Sequence, residues 1–231
     1  MITPIPYESL GHADHGWLDA RHHFSFASYY DPKRMGFGAL RVINDDIIQA
    51  GTGFGLHPHQ NMEIITYVRQ GAITHRDNQG NEGRTVAGDV QVMSAGTGIY
   101  HSEYNLESED TRLYQIWIEP NKHGVQPRWD SHEFPKTDAP GLSLLVDGSG
   151  AAPLQIHQDA YVYAGTLQAN ETIQQAIKHQ AYLLVSKGKI ELGDFELKQG
   201  DGAQITHQKQ ISITAIEDAE VLVLDVPNHN H

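Results

Sequence analysis

Cysteine is absent from all 231 residues. That removes disulfides, thiolate metal ligands, iron–sulfur clusters and a cysteine nucleophile together. Basic charge is scarce as well: 16 Lys and Arg stand against 29 Asp and Glu, for a formal net charge of −13. Nucleic-acid affinity rests on clustered cations that neutralise phosphates, so no direct contact with DNA or RNA is expected. No stretch approaches the roughly 18 apolar residues of a membrane span. Met1 to Leu10 carries prolines and a glutamate where an export signal would place a basic segment and an apolar run. The expectation is a soluble, cytoplasmic protein with no membrane partner. Asn170-Glu171-Thr172 matches a glycosylation sequon, which has no meaning in that setting.

Convincing helix periodicity is lacking too, and what fills the chain is short strands. Residues 39–43, 64–68, 72–75, 90–93 and 113–118 are rich in β-branched or alternating apolar residues. Between them lie turn signals: Asn44-Asp45-Asp46, Gln70-Gly71, Asp77-Asn78-Gln79-Gly80 and Ala87-Gly88-Asp89. Residues 11–37 hold many histidines and aromatics in no clean period, and are expected to wrap a barrel and cover its apolar surface. From Glu119 to Gly141 the composition shifts to Pro120, Pro127, Pro135 and Pro140, which reads as a linker, after which strands resume at 161–164, 172–177, 182–185, 189–192 and 219–226. The expected domains are 1–125, a linker over 126–141, and 142–231.

The two halves resemble each other. Residues 67–73 (YVRQGAI) lie beside 184–190 (LVSKGKI), and Gly88-Asp89 beside Gly200-Asp201, as in a duplicated β unit.

The chemistry concentrates in the first copy. On a strand, residues i and i+2 leave the same face, so His57 and His59 form one such pair, and His101 and Glu103 another. Two pairs on facing strands can converge on one cation. Three imidazoles and a carboxylate suit iron, nickel, copper, manganese or zinc, and leave coordination positions open. Glu63 shares parity with His57 and His59, so strand parity alone does not choose between Glu63 and Glu103. In the second copy only His179 and His207 stand near the equivalent place, without an H-x-H or H-x-E, and a structural role is expected for them. One divalent ion per chain follows.

The spacing Gly51-x5-His57-x-His59-x3-Glu63-x7-Gly71, then Gly96-x4-His101-x3-Asn105, resembles the two cupin motifs. It carries one extra residue before Gly71, Ser94 in place of the usual proline, and a lengthened gap to His101. With Gly36-Phe37, Met93-Ser94-Ala95-Gly96-Thr97-Gly98-Ile99 and His101-Ser102-Glu103, the chain is similar to the pirin family, and residues 11–27 to its bacterial branch.

That resemblance implies an all-β bicupin: two antiparallel β-barrels of jelly-roll type, with metal in the N-terminal one only. It implies His57, His59, His101 and Glu103 as ligands. Fe(2+) is the first expectation for the ion, because an open site rich in oxygen and nitrogen donors suits dioxygen chemistry. The resemblance further implies quercetin 2,3-dioxygenase activity, in which dioxygen opens the central ring of a flavonol and carbon monoxide leaves, with Glu103 as general base. Two other readings are a metal-dependent regulator acting through a protein partner, and a cupin enzyme for another small enol or phenol.

Overall fold

The computed structural model describes residues 1–134 and 141–229. The chain divides into two units: residues 11–134 with 153–158 form one, and residues 1–10, 141–152 and 159–229 the other. Apart from one 3-10 turn, Tyr7–Ser9, the regular elements of the described residues are strands paired antiparallel, so the all-β expectation holds. Each unit is a cupin-type domain.

In the first unit, one sheet runs Arg128–His132, Val90–Ser94, Glu63–Gln70, Thr111–Ile118, Leu40–Ile48, Leu18–His22 and Gly11–Asp14 in spatial order. A second sheet runs Gly53–His59, Ile99–Tyr104, Ala72–Asp77 and Glu82–Val86. Ile73 and Phe54 of the smaller sheet pack on Leu18, Ile48, Val68 and Leu113 of the larger, so the two sheets close face to face over apolar side chains. A second cluster, Ile64, Met93, Ala95 and Ile99, closes the other end.

The second unit repeats the plan. Ile2–Ile5, Gly202–Ile205, Gln180–Lys187, Ala219–Val226, Tyr161–Leu167 and Ser143–Asp147 follow one another in one sheet. The other runs Thr172–Ala176, Gln210–Ala215, Lys189–Leu192 and Phe195–Lys198. Its interior is one continuous apolar cluster that includes Leu183, Val185, Ile190, Ile205, Ile213 and Val223.

The internal duplication is legible down to single hydrogen bonds. Gly88 N donates to Val68 O at 2.8 Å, and Gly200 N to Val185 O at 2.8 Å. Ala87 N to Gly71 O (3.0 Å) matches Gln199 N to Gly188 O (2.9 Å). Gly71 and Gly188 both sit at φ 75°, where a Cβ is disfavoured, and a Cβ on Gly188 would lie 2.1 Å from Asp218 O. Glycine is required at both corners for one steric reason.

Several boundaries differ from the sequence reading. Residues 1–10 belong with the second unit, because Ile2–Ile5 pairs with Gly202–Ile205, and Asp201 accepts a hydrogen bond from Tyr7 N at 2.8 Å. Part of the expected linker is structured: Arg128–His132 pairs with Val90–Ser94, and Phe134 N donates to Asp89 at 3.0 Å. Residues 135–140 of that linker lie outside the described residues. Asn44-Asp45-Asp46 is no turn but the middle of the strand Leu40–Ile48, with all three residues buried. Their polarity is absorbed by His22 Nδ1 on Asn44 (2.7 Å) and Arg69 on Asp45 (2.5 Å), while Asp46 faces a cavity. The segment 11–37 does more than wrap the barrel: Gly11–Asp14 and Leu18–His22 form a hairpin that extends the larger sheet.

Candidate metal centre

His57 and His59 stand on Gly53–His59, the edge strand of the smaller sheet, and His101 stands directly opposite His57 on Ile99–Tyr104. The three imidazoles meet at one point. Ring centroids are 4.4 Å apart for His57 and His101, 4.9 Å for His57 and His59, and 5.0 Å for His59 and His101. One nitrogen from each falls within 4.8 Å of the others. His57 Nδ1 donates to Gly55 O at 2.6 Å, which leaves its Nε2 as the free lone pair. His101 Nε2 is buried and has no hydrogen-bond partner. A buried imidazole nitrogen without a partner is costly unless something else occupies it, and a divalent cation suits it.

Glu103, the fourth expected ligand, is placed beside this point and not in the same group. A β-bulge between His101 and Glu103 shifts the register, so that Glu103 pairs with Phe54. Its carboxylate lies 3.7 Å from His101 Nδ1 and forms a second group with His101 and His75. The amides of Gln91 (3.1 Å to Oε1) and Gln115 (2.5 Å to Oε2) hold it. Burial drives its pKa up to about 7, against the opposing pull of these two amides. Burial lowers His101 to about 2 and His59 to about 4, with neighbouring imidazoles adding to the effect. His59 and His101 are therefore neutral at neutral pH in the metal-free site, the form that binds a cation.

Glu63 is buried elsewhere. Its Oε2 accepts from Ser94 Oγ at 2.7 Å, the His157 backbone N–H also donates to it, and no ligand imidazole appears among its described partners. Strand parity left two carboxylates open; the larger sheet carries Glu63 away from the cluster. In the second unit, His179 is hydrogen-bonded to Asp159 at 3.0 Å, and His207 sits in a turn at φ 57°.

The three histidines and Glu103 form one wall of a cavity of about 390 Å³. Leu18, Ala20, Phe26, Phe54, Ile64 and Trp117 give it apolar walls, and His15, His22, Asn44, Asp46 and Gln115 add polar atoms. No Lys or Arg is among the lining residues. Asp46, 2% exposed, has one carboxyl oxygen without a partner; burial first, then Asp45 and Glu103, push its pKa well above the carboxylate range.

The sequence reading missed His75, Asp46 and the two glutamines. His75 is fully buried across from Glu103, stacked on Trp129 with ring centroids 4.8 Å apart at 8°. Its signal was present as His75-x-Asp77, another same-face pair just ahead of a turn.

Residues 6–118 match the family model described as Pirin, and residues 145–226 the model of the quercetinase C-terminal cupin domain. A pirin-like protein of Caulobacter vibrioides is 56% identical over 230 residues, covering 97% of this chain and 99% of that protein. The chain belongs to the pirin family. A second pirin relative, named quercetin 2,3-dioxygenase, from Escherichia coli, is 47% identical over 98% of this chain and 99% of its own length. Among solved structures, the bacterial pirin YhhW of Escherichia coli in complex with nickel(II) is 45% identical, with a TM-score of 0.92 over 99% of this chain and 100% of that one. The histidine and glutamate cluster of the present pirin suits a divalent metal.

Proposed function

We propose that this pirin is a metal-dependent dioxygenase that opens the central ring of flavonols such as quercetin and releases carbon monoxide. One observation carries the reading: a buried carboxylate stands beside three converging imidazoles in a cavity with apolar walls. His57, His59 and His101 would hold the ion, with Glu103 joining them or acting from its place beside His101. A divalent ion there supplies Lewis-acid activation of the flavonol oxygen and a path for electrons to dioxygen. Iron is the first expectation, because an N/O site with open positions suits oxygen chemistry; nickel, copper, zinc and manganese also fit the donor set.

Glu103 is the general base for the flavonol 3-hydroxyl proton. A carboxylate within reach of the reacting hydroxyl can take its proton, and the amides of Gln91 and Gln115 hold its oxygens in place. Phe26, Phe54 and Trp117 offer flat apolar surface to fused aromatic rings and keep water from the reacting atoms. With no Lys or Arg in the lining, the bound ion would be the one positive charge facing a substrate, so the rest of the cavity suits the uncharged rings of a phenol or enol better than a second anionic group.

The test is oxygen uptake and carbon monoxide release by the iron- or nickel-loaded protein on quercetin. Unchanged quercetin with every one of the five metals would overturn the reading. Capture of a defined protein partner in that case would favour regulation.

A further inference from the structure

The two ring nitrogens of His101 differ: Nε2 is buried with no hydrogen-bond partner, and Nδ1 faces His75 Nδ1 at 3.4 Å. The other nitrogen of His75, Nε2, lies 2.7 Å from Asp77 Oδ2, and both side chains are fully buried. Asp77 is held in turn by the turn that follows it. Its Oδ1 accepts from Gln79 N (2.8 Å) and Asn81 N (3.1 Å), and the Asn81 amide donates to Oδ2 at 3.0 Å. The same turn is tied to the strand that carries His101, since Asn78 N donates to Tyr100 O (3.0 Å) and Tyr100 N to Asn78 Oδ1 (3.1 Å).

A carboxylate can only accept, so the proton between Asp77 and His75 belongs to His75 Nε2. A neutral imidazole protonated at Nε2 offers a lone pair at Nδ1. The contact with His101 must then be donated by His101 Nδ1–H, which leaves the lone pair of His101 at Nε2.

We propose that Asp77 and His75 form a positioning relay that fixes the proton of His101 on Nδ1 and so commits Nε2 to the metal. Carboxylates commonly set a ligand histidine's tautomer by direct contact, and here an inserted imidazole passes the instruction on. Trp129, stacked on His75, keeps that ring from tipping out of line. The inference rests on the metal-site reading and not on flavonol chemistry.

The test is a long-range ¹H–¹⁵N correlation spectrum of the full-length protein with labelled histidine, recorded metal-free and zinc-loaded. The expected result is His75 protonated at Nε2 alone and His101 protonated at Nδ1. A proton on His101 Nε2 in the metal-free protein, or on both nitrogens of His75, would overturn the relay.

Asp77→Asn sharpens the test. The backbone N–H groups of Gln79 and Asn81 retain an oxygen at Oδ1, which turns the new NH2 toward His75 Nε2. That NH2 donates, and the whole chain of protons reverses. Zinc affinity, measured by competition with a chromophoric chelator, should fall by about 10- to 100-fold, with the His101 proton moved to Nε2 in the metal-free variant. A loss of affinity with the His101 proton still on Nδ1 would mark Asp77 as a brace only and sink the proposal. Absence of zinc binding in the unsubstituted protein would instead defeat the metal-site reading, while the metal-free spectrum would still decide the relay.

Discussion

Glu103→Gln should make the metal-free protein more stable at alkaline pH while disabling it. The wild-type carboxyl is 2% exposed, and its folded pKa is about 7 against an ordinary value of 4.5. A carboxyl with a raised folded pKa holds its proton more tightly folded than unfolded. Its contribution is therefore most favourable below the unfolded value and is lost as pH rises through the folded one. At about 1.4 kcal/mol per pKa unit, the full loss above pH 7 is roughly 3 kcal/mol, shrinking to about 1 kcal/mol at pH 5.

Glutamine removes the charge and keeps the shape. One neighbouring amide must turn to receive the new NH2. Gln115 is the freer of the two, because its Oε1 accepts only a long bond from Thr66 (3.3 Å), whereas Gln91 Oε1 accepts from Thr85 at 3.0 Å. That adjustment costs about 0.5–1 kcal/mol, a typical net hydrogen bond. The expected gain is about 2 kcal/mol at pH 8 and close to none at pH 5, read from urea denaturation of chelator-treated protein. Flavonol turnover should be abolished even where three histidines retain metal. A variant less stable than wild type at pH 8, or a difference that does not change with pH, would refute the claim that this carboxyl carries a burial penalty.

Glu63→Gln should leave both metal content and turnover within about twofold, because Glu63 meets Ser94 and the His157 backbone and not the ligand cluster; elemental analysis and the carbon monoxide assay check this. His23, 1% exposed and lowered to about 3 by burial and then by Arg34 and Arg69, resists protonation in the fold, so acidification below 6.5 favours the unfolded chain. Its share of the loss is about 2 kcal/mol between pH 6.5 and 5, and His23→Gln should flatten that part of the stability curve in urea titrations. Gly96→Ala should destabilise by about 2 kcal/mol or more, since Gly96 lies at φ 50° and a Cβ would stand 2.0 Å from Val125 O; thermal melting measures it.

Strand parity put His57, His59 and His101 on converging faces, and their rings do meet, because the period of a strand is short and survives without knowledge of its partners. For Glu103 parity was incomplete: a register shift between His101 and Glu103, invisible in either strand alone, sets the carboxylate beside His101 and His75. Asn44-Asp45-Asp46 misled for a related reason. A run of short polar residues ordinarily signals a turn, yet here polarity lies mid-strand because it faces the cavity and Arg69. His75 was passed over because Asp77, its partner, was read with the turn it opens. Arg128–His132 was concealed by flanking prolines, and Ile2–Ile5 has no local sign of a partner so far along the chain.

That first strand also sets the order of events during synthesis. Ile2–Ile5 is synthesised about 200 residues ahead of its hydrogen-bonding partner, Gly202–Ile205. At translation rates of roughly 5–20 residues per second, the strand waits on the order of 10–40 s as an unpaired edge. The unit that carries the three histidines has nearly all of its sequence available in that interval and can close first, while the second unit cannot finish until Ile2–Ile5 is recovered. Loss of Ile2–Ile5 would therefore weaken the unit that holds Gly202–Ile205 and leave the histidine cluster, which lies in the other unit, intact.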